Sequence, residues 1–144
     1  MSLCKILDMN KINIETNNSV GFKGETAVIE KLKTCGFELY KRNLKKIDSE
    51  IDIVMYKYNK HKYTLDIRVI EVKTRKFYEF DLTTFNIDKK WRHIIRRMFK
   101  IKEEIDSKFD ILKYSEIHFD LVLVKYCGDN YKIYSYIKDV NLIL

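Results

Sequence analysis

An acid and a base, Glu71 and Lys73, stand two residues apart at the end of a run in which Ile67, Val69, Glu71, Lys73 and Arg75 alternate onto one face of a strand. In the preceding run Ile51, Ile53 and Met55 read as one face and Glu50, Asp52 and Val54 as the other. A hairpin turn around residues 59 to 64 sets Asp52 beside Glu71. Two carboxylates on adjacent strands repel, and a divalent cation between them removes the repulsion. Mg²⁺ suits such a place, because it takes few carboxylates and completes its shell with water and substrate phosphate oxygens. A lysine beside it can orient or deprotonate a water, or stabilise charge developing on phosphorus. The competing reading is an ordinary ion pair between Lys73 and Glu71, and from these strands alone it ranks ahead of catalysis.

These residues need elements that hold them. From about Phe22 the apolar residues Phe22, Val28, Ile29, Leu32 and Cys35 recur at helical spacing, and Gly36 follows where a helix ends in positive φ. Glu25 falls in the middle of that apolar arc. Either this carboxylate faces the core, where its charge needs compensation, or it escapes to solvent near the helix N-terminus. Three strand-like runs follow, Phe37 to Asn43, Ile51 to Tyr58 and Leu65 to Thr74, which read as a meander. A second helix runs from about Asp88, an N-cap residue, to about Ile105. Ile117 to Lys125 and Tyr131 to Ile137, joined through Cys127-Gly128-Asp129-Asn130, read as two more strands.

The second helix separates its residues by type. Trp91, Ile94, Ile95, Met98, Phe99 and Ile101 share one arc, with Trp91 as a core anchor. Lys89, Lys90, Arg92, His93, Arg96, Arg97 and Lys100 fill the rest, with no acid before Glu103. Arginine on one face suits bidentate phosphate contact, so this face reads as a nucleic-acid surface rather than a solvated helix of mixed charge. Asp120, followed by an apolar strand, reads as a residue that supports the fold or stands behind the site's ligands.

Length and composition bound these readings. The chain has 144 residues, 46% hydrophobic and 34% charged, with 28 Lys plus Arg against 21 Asp plus Glu and a net charge of +7. That suits one globular domain whose surface favours polyanions, and excludes a disordered or fibrous chain. Residues 1–19, rich in Asn and Lys, read as an N-terminal arm, and residues 20–144 as a single domain. Cys4, Cys35 and Cys127 are odd in number and widely separated, which argues against a disulfide framework and a Cys-based zinc site and fits a reducing cytoplasm. No run has the length of a signal peptide core or a membrane span.

The combination Gly24-Glu25, Gly36-Phe37 with Arg42-Asn43, Glu50-Ile51-Asp52, Glu71-Val72-Lys73-Thr74-Arg75 and Phe119-Asp120 resembles the YraN family of predicted endonucleases, in the restriction endonuclease-like superfamily. The resemblance runs from about Gly21 to the C-terminus, and the order of acids is similar to that of archaeal Holliday junction resolvases. It implies an α/β fold with an αβββαβ core, a mixed central sheet flanked by helices. It also implies that Asp52 and Glu71 ligate Mg²⁺, or Mn²⁺ in its place, that Glu25 completes the acidic cluster, and that Lys73 positions the attacking water. The sequence departs from the pattern at Ser49, where the family has Gly, at Ile51, where the wider superfamily has Pro, and after Arg75, where a Gly is missing.

The expected function is therefore a metal-dependent endonuclease or resolvase-like phosphodiesterase acting on DNA, branched or single-stranded. Glu25, Asp52, Glu71 and Lys73 are its catalytic residues, and Arg75, Lys89, Arg92, Arg96, Arg97 and Lys100 its nucleic-acid contacts. The alternative is a non-catalytic nucleic-acid-binding module on the same fold. The expected partner is DNA rather than a membrane, and a homodimer is left open.

Overall fold

The computed structural model describes residues 16–46, 49–78, 91–108 and 114–140. The elements run α1 (Thr16–Thr34), β1 (Glu38–Lys46), β2 (Ser49–Asn59), β3 (Thr64–Lys76), α2 (Trp91–Lys108), β4 (Tyr114–Cys127) and β5 (Asn130–Ile137). They build one five-stranded sheet in the order β1-β2-β3-β4-β5. Every neighbouring pair is antiparallel except β3 and β4, which run parallel from Thr64↔Tyr114 to Lys76↔Tyr126. This is the expected α/β architecture, a mixed sheet with one helix packed on each face.

The sheet is apolar on both sides because both are covered. On one face Val28, Ile29 and Leu32 of α1 pack against Ile53, Met55, Ile70, Val72, Val122 and Val124. On the other, Ile94, Ile101 and Ile105 of α2 pack against Ile51, Val54, Leu65, Ile67, Val69, Phe119 and Leu121. Alternation along β3 sends Leu65, Ile67 and Val69 to α2, and Ile70 and Val72 to α1. The link from β3 to β4 makes α2 run back along the sheet. Its last turn reaches the start of β4, where Ser115 Oγ donates to Asp106.

Three expectations change. The first helix begins at Thr16 rather than near Phe22, so residues 16–19 of the span read as an arm are helical, and residues 1–15 lie outside the described residues. The Asn and Lys content of residues 1–19 made the whole span read as an arm. On α2 the stripe against the sheet is Ile94, Met98, Ile101 and Ile105, at spacings of three and four, whereas Phe99 is exposed. Asp88 and the Trp91 side chain lie outside the described residues. The third change concerns β2: Ile51 joins the α2-side core while Ile53 and Met55 join the α1-side core, so these residues do not share a face. Strict alternation is broken at Asp52.

One close contact fixes α1 on the sheet. A Cβ added to Gly24 would lie 1.9 Å from Thr74 Oγ1 and 3.0 Å from both Thr74 Cβ and Cγ2. Only a residue without a side chain allows the helix this approach to β3. Gly24→Ala is therefore expected to lower stability by about 1–3 kcal/mol. Thr74→Ala in the same chain should recover part of that loss in denaturant melts, whereas additive losses would show that the contact is unimportant.

Candidate active site at the parting of two strands

The break in β2 is where the sheet forks. The β2–β3 ladder runs from Asn59↔Thr64 to Ile53↔Ile70. Beyond it β2 stays with β1 as far as Lys46↔Ser49, and β3 stays with β4 as far as Lys76↔Tyr126. At the fork the Asp52 carboxylate takes the place of a main-chain carbonyl, its Oδ2 accepting the Val72 amide at 2.8 Å. The β3 residues just past the fork are Glu71, Lys73 and Arg75.

Glu71 and Lys73 continue the alternation of Val69 and so belong to the α2 side of the sheet. Lys73 Nζ lies 3.2 Å from Glu71 Oε1, with both side chains mostly buried. The ion pair expected as the ordinary reading is formed. Glu25 approaches from the α1 side and is 7% exposed, so it does not escape to solvent. Arg42 of β1 sits beside it, with Nη2 3.8 Å from Glu25 Oε1. The same guanidinium donates to the Phe22 carbonyl at 3.0 Å and to Thr26 Oγ1 at 3.2 Å, and lies over the Phe22 ring at 3.7 Å. Burial of the carboxylate is thus compensated by a cation held on three sides.

Asp52 thus sits in the parting itself on the Val72 amide, and the Glu71–Lys73 pair lies on β3 just past it. Glu25 reaches the neighbouring sheet from the opposite side. Among the described residues no three His, Cys, Asp or Glu side chains form a ready metal cage. The donor set still fits a hard divalent cation. It consists of carboxylates without sulfur or imidazole, and Mg²⁺ needs only one or two of them beside water and phosphate oxygens.

The proposed phosphate contacts divide. Arg96 and Lys100 are exposed on α2, and Arg97 is half-buried, its Nε without a hydrogen-bond partner among the described residues. Arg75 is half-buried and donates to the Thr74 carbonyl. Lys89 and the Arg92 side chain lie outside the described residues.

Sequence reasoning missed a second polar centre, at the other end of the sheet on the α1 side. Arg68, 5% exposed, donates to Asp139 at 2.6 Å and to Asp120 at 3.3 Å, and its Nε lies 2.9 Å from Asp66 Oδ1. Asp120 is fully buried and also accepts the Tyr136 hydroxyl at 2.5 Å and the Asp139 amide at 2.9 Å. Burial, and then the bond to Asp120, push the Tyr136 phenol far above its ordinary value. Asp139 also lies 2.8 Å from His118 Nδ1. Burial tends to raise the Asp139 carboxyl, but hydrogen bonding and charge from Arg68 outweigh it and hold it below the usual range. The available signal was Asp66 and Arg68, two residues apart on the β3 face that goes on to carry Ile70 and Val72. Of the two readings left open for Asp120, its full burial and its bonds to Arg68, Tyr136 and the Asp139 amide favour support of the fold.

Comparison with known proteins places the chain. The profile of the uncharacterised protein family UPF0102 matches residues 24–124, which contain Glu25, Arg42, Asp52, Glu71, Lys73, Arg68 and Asp120 but not Phe22, Tyr136 or Asp139. The chain belongs to UPF0102. This is the YraN family that the motifs resemble. A UPF0102 protein of Dictyoglomus turgidum (strain DSM 6724 / Z-1310) is 30% identical over 109 residues, covering 75% of this chain and 83% of the relative. The UPF0102 match takes in the fork, Gly24 and its contact on Thr74, and the whole of α2. No helix among the described residues is long and apolar enough to cross a membrane.

Proposed function

We propose that the protein is a metal-dependent phosphodiesterase acting on DNA. The observation that carries this reading is the fork: an aspartate where β2 leaves β3, with an acid and a lysine on the strand just beyond it. A divalent cation there would be held by Asp52 and Glu71, with Glu25 adding negative charge from α1. When bound, it would withdraw charge from a scissile phosphate and lower the pKa of a water.

The remaining work falls to the chain's own side chains. Lys73, held against Glu71, can release its ammonium toward a phosphate oxygen or hold the attacking water by hydrogen bonding. Asp52 is pre-oriented by the Val72 amide, which fixes the carboxylate in the parting of the strands. Arg42 lies 3.8 Å from Glu25 and offsets its charge in the buried place. Arg96, Arg97 and Lys100 lie on α2, the helix over the Glu71 side of the sheet, and suit backbone contact without base reading.

The test is an assay of the folded chain on single-stranded, duplex, flapped and four-way-junction DNA with Mg²⁺ or Mn²⁺, beside binding measurements on the same substrates. Cleavage that needs the metal supports the reading. Binding without any cleavage under either metal would replace it with the non-catalytic binding module. In the same binding assay, Arg96→Ala with Lys100→Ala is expected to weaken duplex affinity and to reduce the slope of log affinity against log salt by about 2, one per lost phosphate contact. An unchanged slope would remove α2 as a phosphate contact.

A further inference from the structure

A cluster of exposed rings lies beside the fork. Phe77, directly after β3, is 64% exposed, and Tyr134 of β5 is 59% exposed. Both rings face one amine: Lys125 Nζ lies 4.1 Å from the Tyr134 ring centre and 6.0 Å from that of Phe77, and donates to the Phe77 carbonyl at 3.4 Å. Lys125 itself is 4% exposed. A buried cation between two exposed rings fixes the rings in place and leaves their outer faces open. Tyr134 owes its position to an irregularity in β5, where the register shifts between Leu123↔Ser135 and Val124↔Ile133 and Tyr134 is the extra residue. Such a bulge re-aims a side chain.

The location ties this cluster to the candidate site. Lys125 pairs with Arg75 across β3 and β4, and Leu123 pairs with Lys73. By alternation from Leu121, Lys125 is on the α2 side of the sheet, with Glu71 and Lys73. The rings therefore lie one strand over and roughly 7 Å further along than Lys73. Phe77, Lys125, Cys127, Asn130, Lys132, Ile133 and Tyr134 line a half-open cavity of about 390 Å³, within the size range of ligand clefts. Lys132 among these is exposed, as is a third ring, Tyr78, which follows Phe77 and lies 5.9 Å from Lys76 Nζ.

Rings and cations without base-reading side chains bind one kind of partner well. Every nucleobase has a π-face, so stacking tolerates any sequence, and lysines follow the phosphates between stacked bases. Bases already paired in a duplex do not offer those faces. We propose that Phe77 and Tyr134 form a stacking platform for unpaired bases of single-stranded DNA next to the phosphate handled at the fork. This rests on the phosphodiesterase reading only for the chemistry; the platform itself is a binding surface.

Fluorescence anisotropy on labelled oligo-dT and on a duplex of equal length tests it. Phe77→Ala with Tyr134→Ala is expected to weaken single-strand binding at least about five-fold per ring while changing duplex binding less than about two-fold. Phe77→Leu with Tyr134→Leu, which keeps apolar bulk and removes the π-faces, should lose as much, and Phe77→Trp should bind the single strand as tightly as wild type or more so. Unchanged single-strand affinity in both double variants overturns the platform, as does an equal loss on duplex and single strand. The two readings fail separately. A wild type that cuts no substrate with Mg²⁺ or Mn²⁺, but whose single-strand binding in EDTA still depends on the rings, retains the platform and discards the nuclease.

Discussion

Asp52→Asn is expected to abolish metal-dependent DNA cleavage, by roughly 10²-fold or more, in a chain that remains folded. The amide keeps the size of the side chain and an oxygen able to accept the Val72 amide, now made at 2.8 Å, but loses the ligand charge. Metal affinity should fall with activity. Asp52→Ala separates the structural part: with no acceptor for the Val72 amide at the fork, stability should drop by about 1–3 kcal/mol as well. Lys73→Ala should lose cleavage to a similar degree, yet bind metal as well as wild type or better, because a cation beside the site is gone. On the ordinary ion-pair reading, Lys73→Ala instead lowers the melting temperature and changes nothing else. Calorimetric Mn²⁺ titration, thermal melts and a cleavage assay on the same variants decide. Full cleavage by Asp52→Asn would end the case for the fork as a catalytic centre.

Arg68→Ala is the variant expected to damage the fold most. It strips the cation from Asp120, which has no solvent access, and from Asp139 and Asp66. Breaking a buried charge pair from one side costs about 3–5 kcal/mol, a large share of the stability of a domain this size. Arg68→Lys should rescue little, because a single ammonium cannot meet carboxylates lying in three directions. The same centre gives an acid signature. The Asp139 carboxyl is held below its ordinary value in the fold, so the unfolded chain binds that proton more readily. Its contribution is complete above the unfolded value of about 4 and is lost as pH falls through the folded value. Asp106, where the Ser115 and Lys102 hydrogen bonds outweigh burial, and Glu104, bonded by Tyr40 and Lys41, act in the same direction. Melting temperature should therefore fall steeply below about pH 4. In Asp139→Asn, which cannot titrate, the fall should be shallower; an identical acid limb would show that Asp139 carries none of it.

Much of this was legible in the residues. Alternation in β3 and the short polar gap after Asn59 fixed the β2–β3 hairpin and set Asp52 near Glu71, and Gly36, with φ of 91°, did end α1. Glu25 in an apolar arc left burial and escape to solvent both open, and the fold buries it. The fork was not legible, because a strand break made by a side chain replacing a carbonyl leaves the local residue types unchanged: Ile51-Asp52-Ile53 reads as plain alternation. The Arg68 centre was hidden for another reason. Its partners Asp120, Tyr136 and Asp139 come from β4, β5 and the residues after β5, far along the chain, and only the parallel pairing of β3 with β4 brings them together.

That parallel pair also governs how the chain reaches its fold. The β1-β2-β3 meander and the β4-β5 hairpin each close over short loops, but β3 meets β4 only after the whole segment through α2 has been made. Loop closure of that length is slow beside hairpin formation. During synthesis the meander must wait with the hydrogen-bonding edge of β3 open, and that edge carries Leu65, Ile67, Val69, Ile70 and Val72. Conditions that delay β4, such as truncation before Tyr114 or slow elongation through α2, should therefore favour association between incomplete chains over folding.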